Sequence, residues 1–473
     1  MILSATHIIT LIIIVLVTLF FVFRKSRNIK SAEEYSVGSR KYGPAMVTGT
    51  VLGVMIGGSS TGGTAQMAFT NGLTAWWFTI GAGIAMLLLA AFYAGPLRKS
   101  GLTTVSEYIS VKFGRSAGAL SSVTVSLGMF FSVLASMITA LNLISGLFGV
   151  SHLFSATVIA LLSLAFVFYG GIGGSGTAGL IKLVLIFVSV VTGGITAYLG
   201  LGGISGIRKT FAFQPFLNIF SNGIGASATN VTAMIVGVIS TQSYMQGVFA
   251  ARDVKSAVKG CVISGLTIIF IGLPPVLIGL YMRAAQPDLL PIYSLPYYLC
   301  EYMPDWLGGA GIAAILFSAV GSVAGLSLGM GTTLTKDVFS YLFNICEKKQ
   351  LKLDRAITGS AIIFGALGGL LYSDSLVLNW NYLSMDLRGM TIFVPMSFII
   401  FFGRHIPKKA GMAAMAGAMF TAVFYKLFVP SVDNQLFPSL IASFLIISAY
   451  ALNIRIKAGF RAVRLGKLKR LRG

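Results

Sequence analysis

Four glycines and three hydroxyl side chains fall within seven residues, Gly57-Gly58-Ser59-Ser60-Thr61-Gly62-Gly63. They lie inside a long apolar stretch running from about Gly43 to Gly95. A lipid-facing helix gains nothing from this composition, because each glycine costs about 1 kcal/mol against alanine. Backbone that leaves the helix inside a bilayer is tolerated only where protein buries it or it lines a polar cavity. The stretch Gly53–Gly72 therefore reads as a broken transmembrane helix whose freed carbonyls hold a small ion or solute. Ser59, Ser60, Thr61, Thr64 and Gln66 are its polar side chains.

Two further clusters fit the same chemistry. Ser318 and Ser322 are four residues apart and share a helix face with Gly321 between them. Hydroxyls there, with carbonyls of a neighbouring broken helix, make a hard oxygen cage suited to an alkali cation. The run Ser240, Thr241, Gln242, Ser243, Tyr244 and Gln246 is too polar for lipid contact. Amides at Gln242 and Gln246 offer both donors and acceptors, suited to a polar uncharged or zwitterionic solute. Hydrogen bonds between helices are the alternative reading of the same residues. Cys261, Cys300 and Cys346 lack metal-ligand spacing, and His7, His152 and His405 are scattered. No phosphate-binding loop, nucleophile elbow or zinc-protease motif occurs, which argues against an enzyme.

The elements that must position these residues are transmembrane helices. Of 473 residues, 56% are hydrophobic and 10% charged, where soluble domains carry about 25% charged residues. Thirteen apolar stretches are long enough to cross a bilayer. They lie near 7–23, 45–70, 73–95, 117–149, 152–171, 178–201, 228–250, 260–283, 308–343, 357–373, 386–402, 410–428 and 436–454. No positive charge precedes Ile8–Phe23, so the N-terminus does not read as a cleaved signal. The net charge of +22 is a topology signal. With the N-terminus outside and the C-terminus cytoplasmic, 30 of the 35 Lys and Arg residues fall on the cytoplasmic side, Lys182 counted among them. Arg208, Lys209, Arg283, Arg388 and Lys426 fall at or near outer ends. The tail 455–473 is basic and reads as a cytoplasmic flank.

The interrupted second and seventh stretches are five spans apart. That spacing suggests two five-helix repeats of opposite topology, 45–201 and 228–402. Residues 1–44 would be a prepended helix and loop, and 410–454 two appended helices. The fold class is thus an all-α polytopic membrane protein forming a single transport domain. Acids are few. Asp354 reads as a loop residue, Asp337 as the inner end of a span, and Asp386 as an outer-end partner for Arg388. No predicted span carries an ionisable residue at its middle, so a carboxylate proton relay is hard to build.

The chain resembles the sodium:solute symporter family over roughly residues 30–430. The resemblance rests on SAEEYSVGSR at 31–40, VMIGGSSTGGTA at 54–65, RKSGLTTVSEY at 98–108, TQSYMQGVFAARD at 241–253 and TTLTKDVF at 332–339. It implies a leucine-transporter-like fold of inverted five-helix repeats. It also implies a coupling sodium held by the carbonyls of Gly53 and Ile56 with Ser318, Gly321 and Ser322. Gly321 departs from the family, whose members commonly carry Ser there. Met55, Ser60, Thr79 and Gly237 do not match the contacts of the sugar members, and proline members have Asp where Met55 stands.

The reading that follows is a secondary active transporter: sodium-coupled import of a small organic solute by alternating access. Solute contacts would come from Ser59, Ser60, Thr61, Gln66, Thr241, Gln242 and Gln246. Carboxylates and amino-acid derivatives are among the candidate solutes. A proton-coupled or uncoupled carrier is the alternative that Gly321 motivates, and a solute-sensing receptor on a transporter fold is the alternative of another class. Sodium is the expected coupling ion. No cofactor, nucleic acid or obligate protein partner is expected. The location is a cell membrane, multi-pass, of the prokaryotic plasma-membrane type.

Overall fold

The computed structural model describes residues 3–25, 32–403, 406–429 and 434–470. His405 and residues 26–31 lie outside that description, as do the side chains of the basic tail.

The described residues form helices joined by short turns, with one isolated β-bridge between Tyr42 and Ala251. Helix α1 is Ala5–Lys25, α2 is Pro44–Met55, α3 is Thr64–Asn71 and α4 is Trp77–Leu88. Helices α5 (Val105–Phe113), α6 (Arg115–Phe148) and α7 (His152–Ile186) follow. Then come α8 (Ile224–Ile239), α9 (Gln242–Ala250), α10 (Val254–Ala285) and α11 (Asp305–Leu334). The chain closes with α12 (Glu347–Leu371), α13 (Val377–Phe402), α14 (Lys408–Phe428) and α15 (Leu436–Arg470).

Local sequence sets the helix starts. Pro44 opens α2, where its missing N–H is no loss. Thr104 caps α5 by accepting from the Glu107 amide at 2.9 Å, and the Glu107 carboxylate accepts from the Thr103 amide at 2.8 Å. Asp253 caps α10 by accepting from the Ser256 amide at 2.7 Å. That bond holds its carboxyl below the usual carboxylate range.

Nine helical stretches of the described residues are long and apolar enough to cross a membrane, ten if the bent pair α8 and α9 counts as one. Ala5–Phe21, Pro44–Met55 and His152–Phe168 are shorter apolar helices. The stretches predicted separately at 152–171 and 178–201 are joined without a loop, since helical hydrogen bonding continues through α7 into Thr192–Gly200. Both predicted interruptions are present. Helix α2 ends at Met55, and Ile56 leaves helical geometry at φ −80°, ψ 84°. Helices α8 and α9 meet at a 44° bend around Ser240 and Thr241.

Helices α6 and α11 form the buried centre, and α2 packs between α7, α10 and α11. The contact between α2 and α7 has no room for side chains. A Cβ on Gly179 would run into the Gly49 carbonyl oxygen, and a Cβ on Gly49 would sit 2.6 Å from the Gly176 carbonyl oxygen. Small residues let helix backbones touch in this way within membranes.

Gly179→Val should therefore force α7 away from α2. Overpacking of a tight contact costs roughly 1–3 kcal/mol, and here the obstacle is backbone. The expected result is a lower melting temperature of the purified protein in detergent. Melting unchanged from the parent would contradict this packing.

Candidate substrate and ion site

The break after Met55 decides what the site can do. In a continued helix the Gly57 amide would bond to the Gly53 carbonyl. Here it turns to the Met55 carbonyl at 3.0 Å, which frees Gly53 O. The hydroxyls of the Gly-Ser-Thr segment repair the local backbone. Ser60 Oγ donates to Gly57 O at 3.2 Å, Thr61 Oγ1 to Gly57 O at 3.0 Å, and Thr64 Oγ1 to Ser59 O at 3.0 Å. Thr61 and Ser60 thus face their own turn.

The freed carbonyls hold a side chain that the sequence reading placed elsewhere. Lys182, on α7 one turn beyond Gly179, donates from Nζ to Gly53 O at 2.7 Å and to Ile56 O at 2.5 Å. Its residue is 2% exposed. The assignment of Lys182 to the cytoplasmic charge belt is therefore corrected: the glycine contact draws its stem inward, onto the helix break. Across the cradle, Ser322 Oγ on α11 donates to Val54 O at 2.5 Å. Ser318, one turn earlier, is fully buried and its hydroxyl makes no hydrogen bond. A Cβ on Gly321 would sit 3.3 Å from Gly53 O and 3.7 Å from Lys182 Nζ. Gly53, Ile56 and Gly321 thus meet around a lysine ammonium, while Ser322 holds the adjacent Val54 carbonyl.

A second buried cation organises the other half of the site. Helix α13 begins at Val377 rather than near 386, which puts Arg388 at its middle and fully buried. The guanidinium does not pair with Asp386, whose carboxylate accepts from Asn434 Nδ2 at 3.1 Å. It donates instead to Thr241 Oγ1 (2.8 Å), Ser132 Oγ (3.0 Å), Ser384 Oγ (2.7 Å) and Ser384 O (3.0 Å). Ser132 Oγ also donates to Asn381 Oδ1 at 2.8 Å, and the Asn381 amide reaches Ser59 Oγ. One hydrogen-bonded chain therefore links the first helix break, α6, the second break and α13. Among the described residues no carboxylate pairs with either Lys182 or Arg388.

Of the side chains expected to meet solute, Ser59 and Thr241 belong to this network. Gln66 accepts from the Val377 amide at 3.2 Å, at the start of α13. Gln242 and Gln246 point to another task. Gln242 accepts from the Val105 amide at 2.8 Å and donates to Thr103 O at 3.1 Å, while Gln246 approaches Thr332 Oγ1 at 3.4 Å. These ties join α9 to the start of α5 and to the end of α11. There Lys336 pairs with Glu107 at 2.9 Å, Thr104 Oγ1 donates to Asp337 at 2.6 Å, and Arg98 Nη2 donates to Arg252 O at 3.2 Å. Asp354, read as a loop residue, is buried on α12 and accepts from Thr332 at 3.2 Å.

Comparison with known proteins agrees with this architecture. The sodium:solute symporter family model matches residues 35–420. The chain belongs to that family. Relatives include the human high affinity choline transporter 1, 24% identical over 82% of this chain and 71% of that protein. The Drosophila melanogaster high-affinity choline transporter 1 is 21% identical over 84% of this chain and 66% of its own length. The sodium/sialic acid symporter NanT of Aliivibrio fischeri is 24% identical over 62% of each chain. The matched stretches thus span about two thirds of these relatives. Among solved structures, a Na+-coupled sialic acid symporter in a substrate-bound outward-open state superposes with a TM-score of 0.78. It is 17% identical, covering 96% of this chain and 98% of that one. A nucleobase-cation-symport-1 family transporter in a closed conformation superposes at 0.62, with 14% identity and coverage of 91% and 96%. Both likenesses establish the shared fold.

Gln242 ties α9 to the start of α5 through both atoms of its amide. Gln242→Ala leaves the Val105 amide and the Thr103 carbonyl without partners, at about 1–3 kcal/mol for each buried orphan. The melting temperature in detergent should fall by several degrees. Parental stability would show that these two bonds do not hold α9 and α5 together.

Proposed function

We propose that this chain imports a small organic anion as a secondary active transporter working by alternating access. Membership of the sodium:solute symporter family supports sodium-coupled solute import as its class of activity. The single observation that carries the anion is Arg388: a fully buried guanidinium with hydroxyl partners, on a network joining both helix breaks. A buried charge is costly unless something of opposite sign compensates it. A carboxylate seated among Ser59, Ser132, Thr241, Asn381 and Arg388 would do so. Arg presents a planar fork matched to carboxylates, which a hydroxyl cluster alone lacks.

The same charge argues against a cationic solute such as choline, which the human and Drosophila melanogaster relatives carry in their names. Like charges 4 Å apart repel by about 4 kcal/mol at the effective dielectric of a protein surface. In this reading, 45–201 and 228–402 are the inverted repeats, and the solute binds between their broken helices. The face carrying Lys336 and Glu107 is cytoplasmic, and the C-terminus is cytoplasmic as well. Solute enters from the opposite side, and opening of these ties releases it inward.

The test is uptake of radiolabelled organic acids, amino acids and choline by proteoliposomes. A carboxylate should be accumulated and choline should not. Arg388→Gln should reduce carboxylate uptake at least tenfold, with Arg388→Lys intermediate because it keeps the charge and loses the fork. Choline uptake, or full carboxylate uptake by a well-folded Arg388→Gln variant, would contradict the anion assignment.

A further inference from the structure

The cradle that the family resemblance assigns to sodium has its two carbonyl oxygens already bonded to an ammonium. Gly53 O and Ile56 O both accept from Lys182 Nζ. A sodium ion at this place would need the same oxygens, and no carboxylate among the described residues lies there to offset a second positive charge. The tether also gives the ammonium a standing advantage, since it pays no cost of association from solution. Gly321 belongs to the same arrangement. A Cβ there would lie 3.3 Å from Gly53 O, a tight contact, and 3.7 Å from Nζ, an ordinary one, so a side chain at 321 would stand directly beside the ammonium.

We propose that Lys182 is this chain's own cation in the ion cradle, excluding sodium from these carbonyls. The proposal rests on the carrier reading above and changes the ion that works at this cradle. A tethered ammonium differs from sodium in one respect: it cannot leave the cradle. It donates to Gly53 O and Ile56 O and holds α7 against the break in α2.

Among the described residues no second charged group shares the cradle with Lys182. Helix α2 has no titratable side chain, α11 has only Asp305 at its start and α6 only Arg115 at its start. The remaining elements packed on α7 carry their groups elsewhere. On α1, His7 bonds Ser4 at 2.8 Å, and Arg24 and Lys25 are at the far end. On α12, Asp354 is held by Thr332 and Thr358, and Arg355 lies over the Tyr35 ring. Residues 32–37 add Glu33, Glu34 and Tyr35. Lys182 makes its hydrogen bonds to the two carbonyls alone.

The first test needs no solute. Binding of 22Na+ to purified protein is measured against excess potassium, for wild type, Lys182→Ala and Lys182→Ala/Gly321→Ser. Wild type should show no saturable binding. At least one variant should gain it, the double variant more strongly because it restores a hydroxyl. Saturable sodium binding by wild type overturns the proposal, as does indifference to sodium in both variants when they elute as monodisperse protein. The second test is Lys182→Arg, which keeps a tethered cation and should bind no more 22Na+ than wild type. Saturable sodium binding by well-folded Lys182→Arg overturns the exclusion of sodium by a tethered cation. A failure to find any transported acid would count against the carrier reading and leave the sodium-binding result standing on its own.

Discussion

Two carbonyl oxygens released by a broken helix, Gly53 O and Ile56 O, are the constraint on which the rest of this molecule turns. Left alone in a dry interior, each would cost several kcal/mol. They demand a cation or a donor, and whatever satisfies them also fixes α2 against its neighbours. In this chain the donor is the end of a lysine on α7. Helix α7 reaches the break because Gly176 and Gly179 let its backbone touch α2 at Gly49 and Gly53. The glycine contact and the ammonium therefore form a single device: one sets the distance and the other fills the cradle. Ser322 completes the far wall by bonding Val54 O from α11.

The second buried cation follows the same logic with a different outcome. Arg388 has no backbone cradle of freed carbonyls around it; its partners are hydroxyls, one carbonyl from its own helix and the Met385 sulfur. Hydroxyls satisfy its N–H groups without neutralising its charge. The lysine thus closes a site, whereas the arginine leaves one electrostatically incomplete. That contrast is why an ion-like role fits Lys182 and a ligand-facing role fits Arg388. A chain with two fixed cations at its centre would handle an anion more readily than a cation.

Much of this was legible before any coordinates. Glycine clustering at 57–63 marked the first break and the polar run at 240–246 the second, because neither composition survives as a lipid-facing helix. The positions of Gly53, Ile56, Gly321 and Ser322 followed from the family resemblance, and the structure brings them together. Lys182 was missed for a physical reason. A lysine four residues into a predicted span looks the same as one that snorkels to the headgroups, and a charge census counts both as topology. The signal that separates them was the spacing of Gly176, Gly179 and Lys182, three apart on one helix face, which points the lysine the way the glycines point. Arg388 was misplaced because the polar segment Asn379–Asp386 hid the first turns of α13. Starting that helix at Val377 moves Arg388 from its end to its middle. Gln242 was read as a solute contact from residue type, and only tertiary structure reveals its backbone partners at the start of α5.

The most direct measurement is an experimental structure at high resolution in sodium-rich and in sodium-free buffer, compared at the break in α2. The account predicts continuous density from the α7 backbone to Gly53 O and Ile56 O in both, with Lys182 Nζ at hydrogen-bond distance from each. A separate ion between those carbonyls in sodium, with the Lys182 side chain turned away, would contradict it.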